Sequence, residues 1–234
     1  GRHKVVYKIT DGYGCRNRDS IDIIVNGLPD TRINPAGPFC DNDGVKVITA
    51  VVPSPGGSFF GKFIDNSGNF IPSQASVGIS LNEVYYKAMD VNNCKDTTSI
   101  HIKVNTKPVF DFEAKTREGC VPLLINFEGA LGYKKYEWNF GNSKKGIGQQ
   151  AKSIYPVDEK YDVSLAVVDS NNCSSTITKQ NYITSYPRPK ADFNYAPFEI
   201  NLGITHVQFT NFSTGKSIRE YKWSVEDVFE SDQE

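Results

Sequence analysis

One hairpin pattern recurs three times in this chain. It reads V-V-Y-K-I-T-D-G-Y-G-C from Val5 to Cys15, V-Y-Y-K-A-M-D-V-N-N-C from Val84 to Cys94, and V-S-L-A-V-V-D-S-N-N-C from Val163 to Cys173. Successive copies start 79 residues apart. In the third copy apolar and polar residues alternate from Val163 to Val167, the period of a half-buried β-strand. Asp169, Asn171 and Asn172 then make a turn, because short polar side chains tolerate tight backbone geometry. A second strand, Ser174 to Thr178, leaves the cysteine. One pattern at one spacing means a tandem array of small domains, each of about 80 residues.

Length alone, 234 residues, suggests one or two domains, and the repeat overrides that prior. Hydrophobic residues make up 38% and aromatic residues 12%, so each unit can bury a core, though a small one. Val, Ile, Thr, Tyr and Phe are plentiful, and the 19 glycines and 12 prolines are scattered at turn positions. This is an all-β composition. The net charge of −1, with no long run of one sign, argues against a nucleic-acid binder, which needs a basic face. No stretch approaches the apolar length of a membrane span. The chain opens G-R-H-K, without a signal peptide, so an extracellular protein would here be an internal fragment or a processed product.

The five cysteines are placed regularly. Cys15, Cys94 and Cys173 close the three hairpin turns. Cys40 and Cys120 lie 54 and 53 residues before their hairpin cysteines. The spacing predicts one disulfide per domain, Cys40–Cys94 and Cys120–Cys173, in an oxidising compartment, with Cys15 left without a partner. Free thiols in a reducing compartment are the alternative.

Residues 1–26 read as the C-terminal part of one domain. Residues 27–107 form a complete unit. In it V-K-V-I-T-A-V alternates as a strand, and S-F-F-G-K-F-I-D-N-S-G-N-F reads as a hairpin with Asn66 to Gly68 at its tip. Residues 108–187 form the next unit and 188–234 the N-terminal part of a fourth. About seven short strands with regular turn signals suggest an immunoglobulin-like β-sandwich.

In the third unit Y-E-W-N-F-G-N is followed by Y-D-V-S-L-A-V-V-D. This resembles the PKD domain, a sandwich of bacterial surface proteins, through Trp138, Phe140, Gly141, Asn142, Tyr161, Val163, Leu165, Val167 and Asp169. The family usually carries D-G after W-x-F-G; Asn142 and Ser143 stand there. A-D-F-N-Y-A-P, V-Q-F-T-N-F-S and Y-K-W-S-V-E-D repeat the PKD opening, with Asp192 aligned to Asp111 and Trp223 to Trp138. In the second unit G-P-F-C-D-N-D, G-G-S-F-F-G, N-F-I-P and the D-V-N-N-C turn resemble an immunoglobulin-like repeat of large secreted proteins from gliding bacteria. Together the repeats resemble a SprB-type gliding-motility surface adhesin.

That resemblance implies an adhesive, structural segment of a cell-surface filament, attached at the outer membrane and exported by type IX secretion. It implies partners in the gliding or secretion machinery and a surface polysaccharide or other adhesive ligand. The second reading is an accessory PKD array, binding carbohydrate or protein, beside the catalytic domain of a secreted hydrolase. D-S-I (Asp19 to Ile21) and D-T-T (Asp96 to Thr98) resemble O-glycan acceptor motifs of this bacterial group.

No catalytic constellation is present: H-E-x-x-H, G-x-S-x-G and G-x-x-x-x-G-K-[ST] are all missing. The chain therefore reads as non-enzymatic. His3, His101 and His206 stand far apart and read as strand surface residues. Asp/Asn clusters at Asp41 to Gly44, Asp169 to Asn172 and Trp138 to Asn142 offer oxygen ligands for Ca²⁺, or ordinary turn chemistry. Trp138 and Tyr136 offer either a sugar-stacking surface or a core. As a strand-C tryptophan of an immunoglobulin-like domain, Trp138 is expected in the core against the disulfide, with Tyr161 as a structural corner and Trp223 as its counterpart in the fourth unit.

Overall fold

The computed structural model describes residues 1–77, 82–199, 203, 206–225 and 229–231. The chain is all-β over these residues, with one short 3₁₀ turn at Pro72–Gln74. It divides into two compact units. The first is Gly1–Pro108 together with Asn171–Cys173, and the second is Val109–Ser170 with Ser174–Glu234.

The first unit begins with an isolated hairpin, β1 (Arg2–Thr10) and β2 (Arg16–Ile24), antiparallel over their whole length. Every residue of both strands is exposed, including Val5, Tyr7, Ile9 and Ile21. The alternating pattern is thus a strand without a second layer to cover it.

Residues 30–105 form a sandwich of small sheets. Strands β3 (Phe39–Cys40), β4 (Lys46–Val47), β5 (Ser58–Gly61) and β6 (Asn69–Phe70) are short. Strands β7 (Asn82–Met89) and β8 (Lys95–Ile102) form the long repeated hairpin, and β9 (Val104–Asn105) ends the unit. The pairings are β5–β7–β8, β4–β6 and a parallel β3–β9. Alternate residues of β7 are buried, and Val84, Tyr86 and Ala88 meet Ile48, Phe59, Phe70, Ile102 and Val104 in the core.

Two sequence expectations change here. V-K-V-I-T-A-V forms only the two-residue β4, followed by a bridge from Ala50 to Ile33. The arms of the expected Ser58–Phe70 hairpin belong to different sheets, β5 pairing with β7 and β6 with β4. Gly61 at φ 144° and Phe63 at φ 63° turn the chain between them, and an isolated bridge from Ile64 to Phe70 is what remains of the hairpin. At Gly61 a Cβ would stand 2.7 Å from the Glu83 carbonyl, so the turn needs glycine for space as well as for φ.

The second unit holds the best-formed sandwich. Strands β10 (Phe112–Ala114), β12 (Leu123–Gly129) and β15 (Gln150–Tyr155) make one sheet. The other runs in the order β11 (Glu118–Cys120), β17 (Ser174–Tyr186), β16 (Lys160–Val168), β13 (Lys135–Asn139), β14 (Lys145–Ile147). β11 is parallel to β17; the other neighbours are antiparallel. Strand β12 is buried at every second residue, Leu123, Ile125, Phe127 and Gly129. Strand β16 does the same with Tyr161, Val163, Leu165 and Val167. These two inner faces form the core, as period-2 patterning requires.

Beyond it lie two short antiparallel pairs, β18 (Phe193–Ala196) with β19 (Gln208–Asn211), and β20 (Trp223–Val225) with β21 (Phe229–Ser231).

The disulfide differs from the expected pair. Cys40 is bonded to Cys173, while Cys15, Cys94 and Cys120 are thiols. The physical reason is the length of the last strand in each repeat. Cys40 pairs across β3–β9 with Asn105, whereas Cys94 precedes Lys95 at the start of β8. Residues 95–105 of extended chain separate the two ends by roughly 35 Å. In the next repeat Cys120 pairs with Tyr186 at the end of β17, and Cys173 precedes its start, so roughly 40 Å of strand intervenes. A disulfide needs Cα atoms within about 7 Å. Cys40 and Cys173 meet this, at 5.6 Å.

Candidate functional site

The first two repeated turns share one hydrogen-bonding device. Asp11 Oδ1 accepts the backbone N–H groups of Tyr13 and Cys15, each at 2.9 Å. Asp90 Oδ1 likewise accepts from Asn92 at 2.9 Å and Cys94 at 2.8 Å. The Asp N–H donates to the cysteine carbonyl in both copies. The residue before the cysteine is left-handed in all three copies: Gly14 at φ 83°, Asn93 at 61° and Asn172 at 64°. Glycine and asparagine are the residues that adopt this region at low cost. Asp65 builds the same turn at Ser67 and Asn69, with Gly68 at φ 91°. Asp11, Asp65 and Asp90 therefore each spend an oxygen on backbone donors.

Two of the three Asp/Asn clusters considered as calcium ligands, Asp41 to Gly44 and Trp138 to Asn142, are engaged similarly. Asp41 Oδ1 accepts from Lys107 N, and Asp43 Oδ2 accepts from Cys40 N and lies 3.5 Å from Lys46 Nζ. Asn139 accepts from Gly141 N. Asn142 donates to Ser153 and to the Ile154 carbonyl and accepts from Lys144 N. No group of three or more His, Cys, Asp or Glu side chains among the described residues is placed to hold a metal ion.

Trp138 is 1% exposed, and its indole N–H donates to the Gly148 carbonyl at 2.8 Å. Phe112 meets it edge-on at 5.2 Å and Phe127 lies tilted at 5.5 Å. Its neighbours are therefore aromatic rings; the expected packing against a disulfide is replaced by Phe112, Phe127 and Phe140. Tyr136 is also buried and donates to the Ala130 carbonyl. Neither ring is available to stack on a sugar. The Tyr161 hydroxyl donates to the Val157 carbonyl, four residues upstream, at 2.7 Å, closing the bend before β16. Its ring lies tilted against that of Tyr155, whose phenol pKa is pushed up by burial and whose hydroxyl donates to the Phe140 carbonyl. Trp223 is half-buried and touches Phe193 and Phe209.

One arrangement was not legible in the sequence. Lys179 on β17 donates to the Phe112 carbonyl, pairs with Asp111 Oδ1 at 2.8 Å, and lies over the rings of Phe112 and Tyr182. Its ammonium holds the Asp111 carboxyl below its ordinary range. Arg117 covers Tyr182 from 5.5 Å. The contributors are distant in sequence, and only the sandwich brings them together.

On the outer face of β10, β12 and β15 there is an open groove of about 550 Å³. Its walls include Glu113, Lys115, Asn126, Glu128, Gln150 and Lys152. This mixture of both charges and amides suits hydrogen bonding, and the one aromatic residue of the lining, Phe127, has its ring buried in the core.

Fold and side-chain placement define an all-β protein of sandwich repeats. No family model matches the chain. It is similar to collagenase ColA of Clostridium perfringens (strain 13 / Type A), 26% identical over 144 residues, which is 59% of this chain and 11% of the collagenase. The chain thus spans about a ninth of that protein's length. A solved structure described as a Ca²⁺-stabilised adhesin that helps an Antarctic bacterium reach out and bind ice matches with a TM-score of 0.37 and 10% identity. That match covers 83% of this chain and 59% of the adhesin chain. No helix of the described residues is long and apolar enough to cross a membrane.

Proposed function

We propose that this chain is a repeat segment of a large extracellular surface protein, an adhesin filament of a gliding bacterium exported by type IX secretion. Its domains would space and display an adhesive region and transmit force. The observation that supports this most is the hairpin repeated at one spacing, each copy ending in a turn with a left-handed residue before its cysteine, since an array of like units is a natural spacer. A disulfide suits an oxidising, extracytoplasmic setting. The reading is non-catalytic. Its partners are the gliding or secretion machinery at the outer membrane and a surface polysaccharide or similar ligand. The units are residues 1–26, 27–107, 108–187 and 188–234, the last two of PKD type.

The collagenase similarity favours a second reading, an accessory domain array beside the catalytic part of a secreted hydrolase. Deleting the gene in its source bacterium separates the two. Lost spreading over a surface with intact secreted hydrolase activity supports the adhesin. Unchanged spreading with reduced hydrolysis of an insoluble substrate supports the accessory array.

A further inference from the structure

The cysteines are of two kinds, defined by where they sit in the repeat. Cys40 and Cys120 each end a short strand that runs parallel to the last strand of its repeat, at Cys40↔Asn105 and Cys120↔Tyr186. Cys15, Cys94 and Cys173 each end an Asp-started turn whose preceding residue is left-handed. The one disulfide joins a cysteine of the first kind, Cys40, to one of the second, Cys173, 133 residues further along the chain. The remaining thiols include both kinds: Cys120 of the first, exposed, and Cys15 and Cys94 of the second, exposed and half-buried.

Within a repeat the two kinds stand at opposite ends of the last strand. That places them far beyond the reach of a disulfide. A cysteine of either kind can therefore be bonded only to a cysteine of another repeat. We infer that Cys120, Cys94 and Cys15 are half-sites of a repeat-to-repeat disulfide staple, in which a strand-end cysteine bonds the turn cysteine of a different repeat. The partner is a repeat of this same type, and in a solution of this chain second copies supply it. Each bond forms as two thiols give up two protons and two electrons. A small-molecule disulfide such as oxidised glutathione accepts them through a mixed disulfide and leaves as two reduced thiols. The inference rests on the observed bond and the strand geometry and is independent of the adhesive reading.

The test is oxidation of the full chain in a glutathione redox buffer, followed by non-reducing electrophoresis and disulfide mapping by mass spectrometry. The expected result is a ladder of covalent oligomers whose linking peptides are Cys120–Cys94 and Cys120–Cys15. Cys120→Ser should lose the ladder while Cys40–Cys173 stays intact. Circular dichroism of that variant confirms that it is folded. A ladder that survives Cys120→Ser, or one joined mainly by Cys120–Cys120 and Cys94–Cys94, would mean indiscriminate thiol oxidation and overturn the inference. So would a chain that stays monomeric under oxidation, or a map with Cys40–Cys94 and Cys120–Cys173.

Discussion

Phe112, Phe127 and Trp138 form one trio of rings, and Phe193, Phe209 and Trp223 form another with nearly the same angles. The edge-on contacts are 81° and 83°, and the tilted ones 42° and 41°. Their surroundings differ. Trp138 is 1% exposed, and its trio is covered by Val163, Leu165 and Ile183 from β16 and β17. Phe193 and Phe209 are 57% and 46% exposed, and the described residues of their repeat include no strands equivalent to β16 and β17. A first sheet and the tryptophan strand thus suffice to set the ring geometry. Burial, and with it most of the energy, needs the second half of the sandwich. Full burial of a ring this size removes roughly 150–250 Å² from water. At about 25 cal/mol per Å² that is worth roughly 4–6 kcal/mol, an upper figure.

The contrast between the trios is easiest to break at the tryptophans themselves. Trp138→Ala should destabilise residues 108–187 by about 3–5 kcal/mol, the usual cost of emptying a core aromatic site. Trp223→Ala should cost less than half of that. Guanidinium unfolding followed by circular dichroism measures both, and equal losses would mean that the two trios are equally enclosed. In single-tryptophan variants, Trp138 should emit at shorter wavelength and resist acrylamide, and Trp223 should be quenched readily.

Gly141→Ala sharpens the same contrast from the backbone. Gly141 sits at φ 78°, and a Cβ there would stand 2.3 Å from the Asp162 carbonyl oxygen. The left-handed conformation alone costs roughly 1–2 kcal/mol for a non-glycine residue, and the backbone contact adds to it. The expected outcome is a lower unfolding midpoint for the Trp138 signal with the Trp223 signal unchanged. Tyr161→Phe removes one hydrogen bond, to Val157, and should cost about 1 kcal/mol in the same repeat only.

The smallest effect concerns pH. Asp111 is held below its ordinary value, first by its hydrogen bond from Lys179. A carboxylate depressed by folding adds stability above its unfolded value of 3.8, and that stability is lost as pH falls through the lower folded value. Asp111 is 70% exposed, so solvent screens the pair and the contribution is small. Acid titration of stability should show this step below about pH 4, and Lys179→Met should remove it.

The sequence by itself determined the local structures: the three hairpins, their tight turns with a left-handed residue before the cysteine, and the alternation that buries one face of β12 and β16. Each depends on residues a few positions apart, where side-chain and backbone preferences act without help from the rest of the chain. The tertiary structure alone decided the rest. It split the Ser58–Phe70 segment between two sheets, placed Lys179 over Phe112 and Tyr182, and set the cysteine partners. Regular spacing suggested Cys40 with Cys94, yet a strand spans about 3.3 Å per residue and holds the two apart at its opposite ends. Spacing along the chain counts residues, whereas a disulfide depends on distance in space, and only the folded strands convert one into the other.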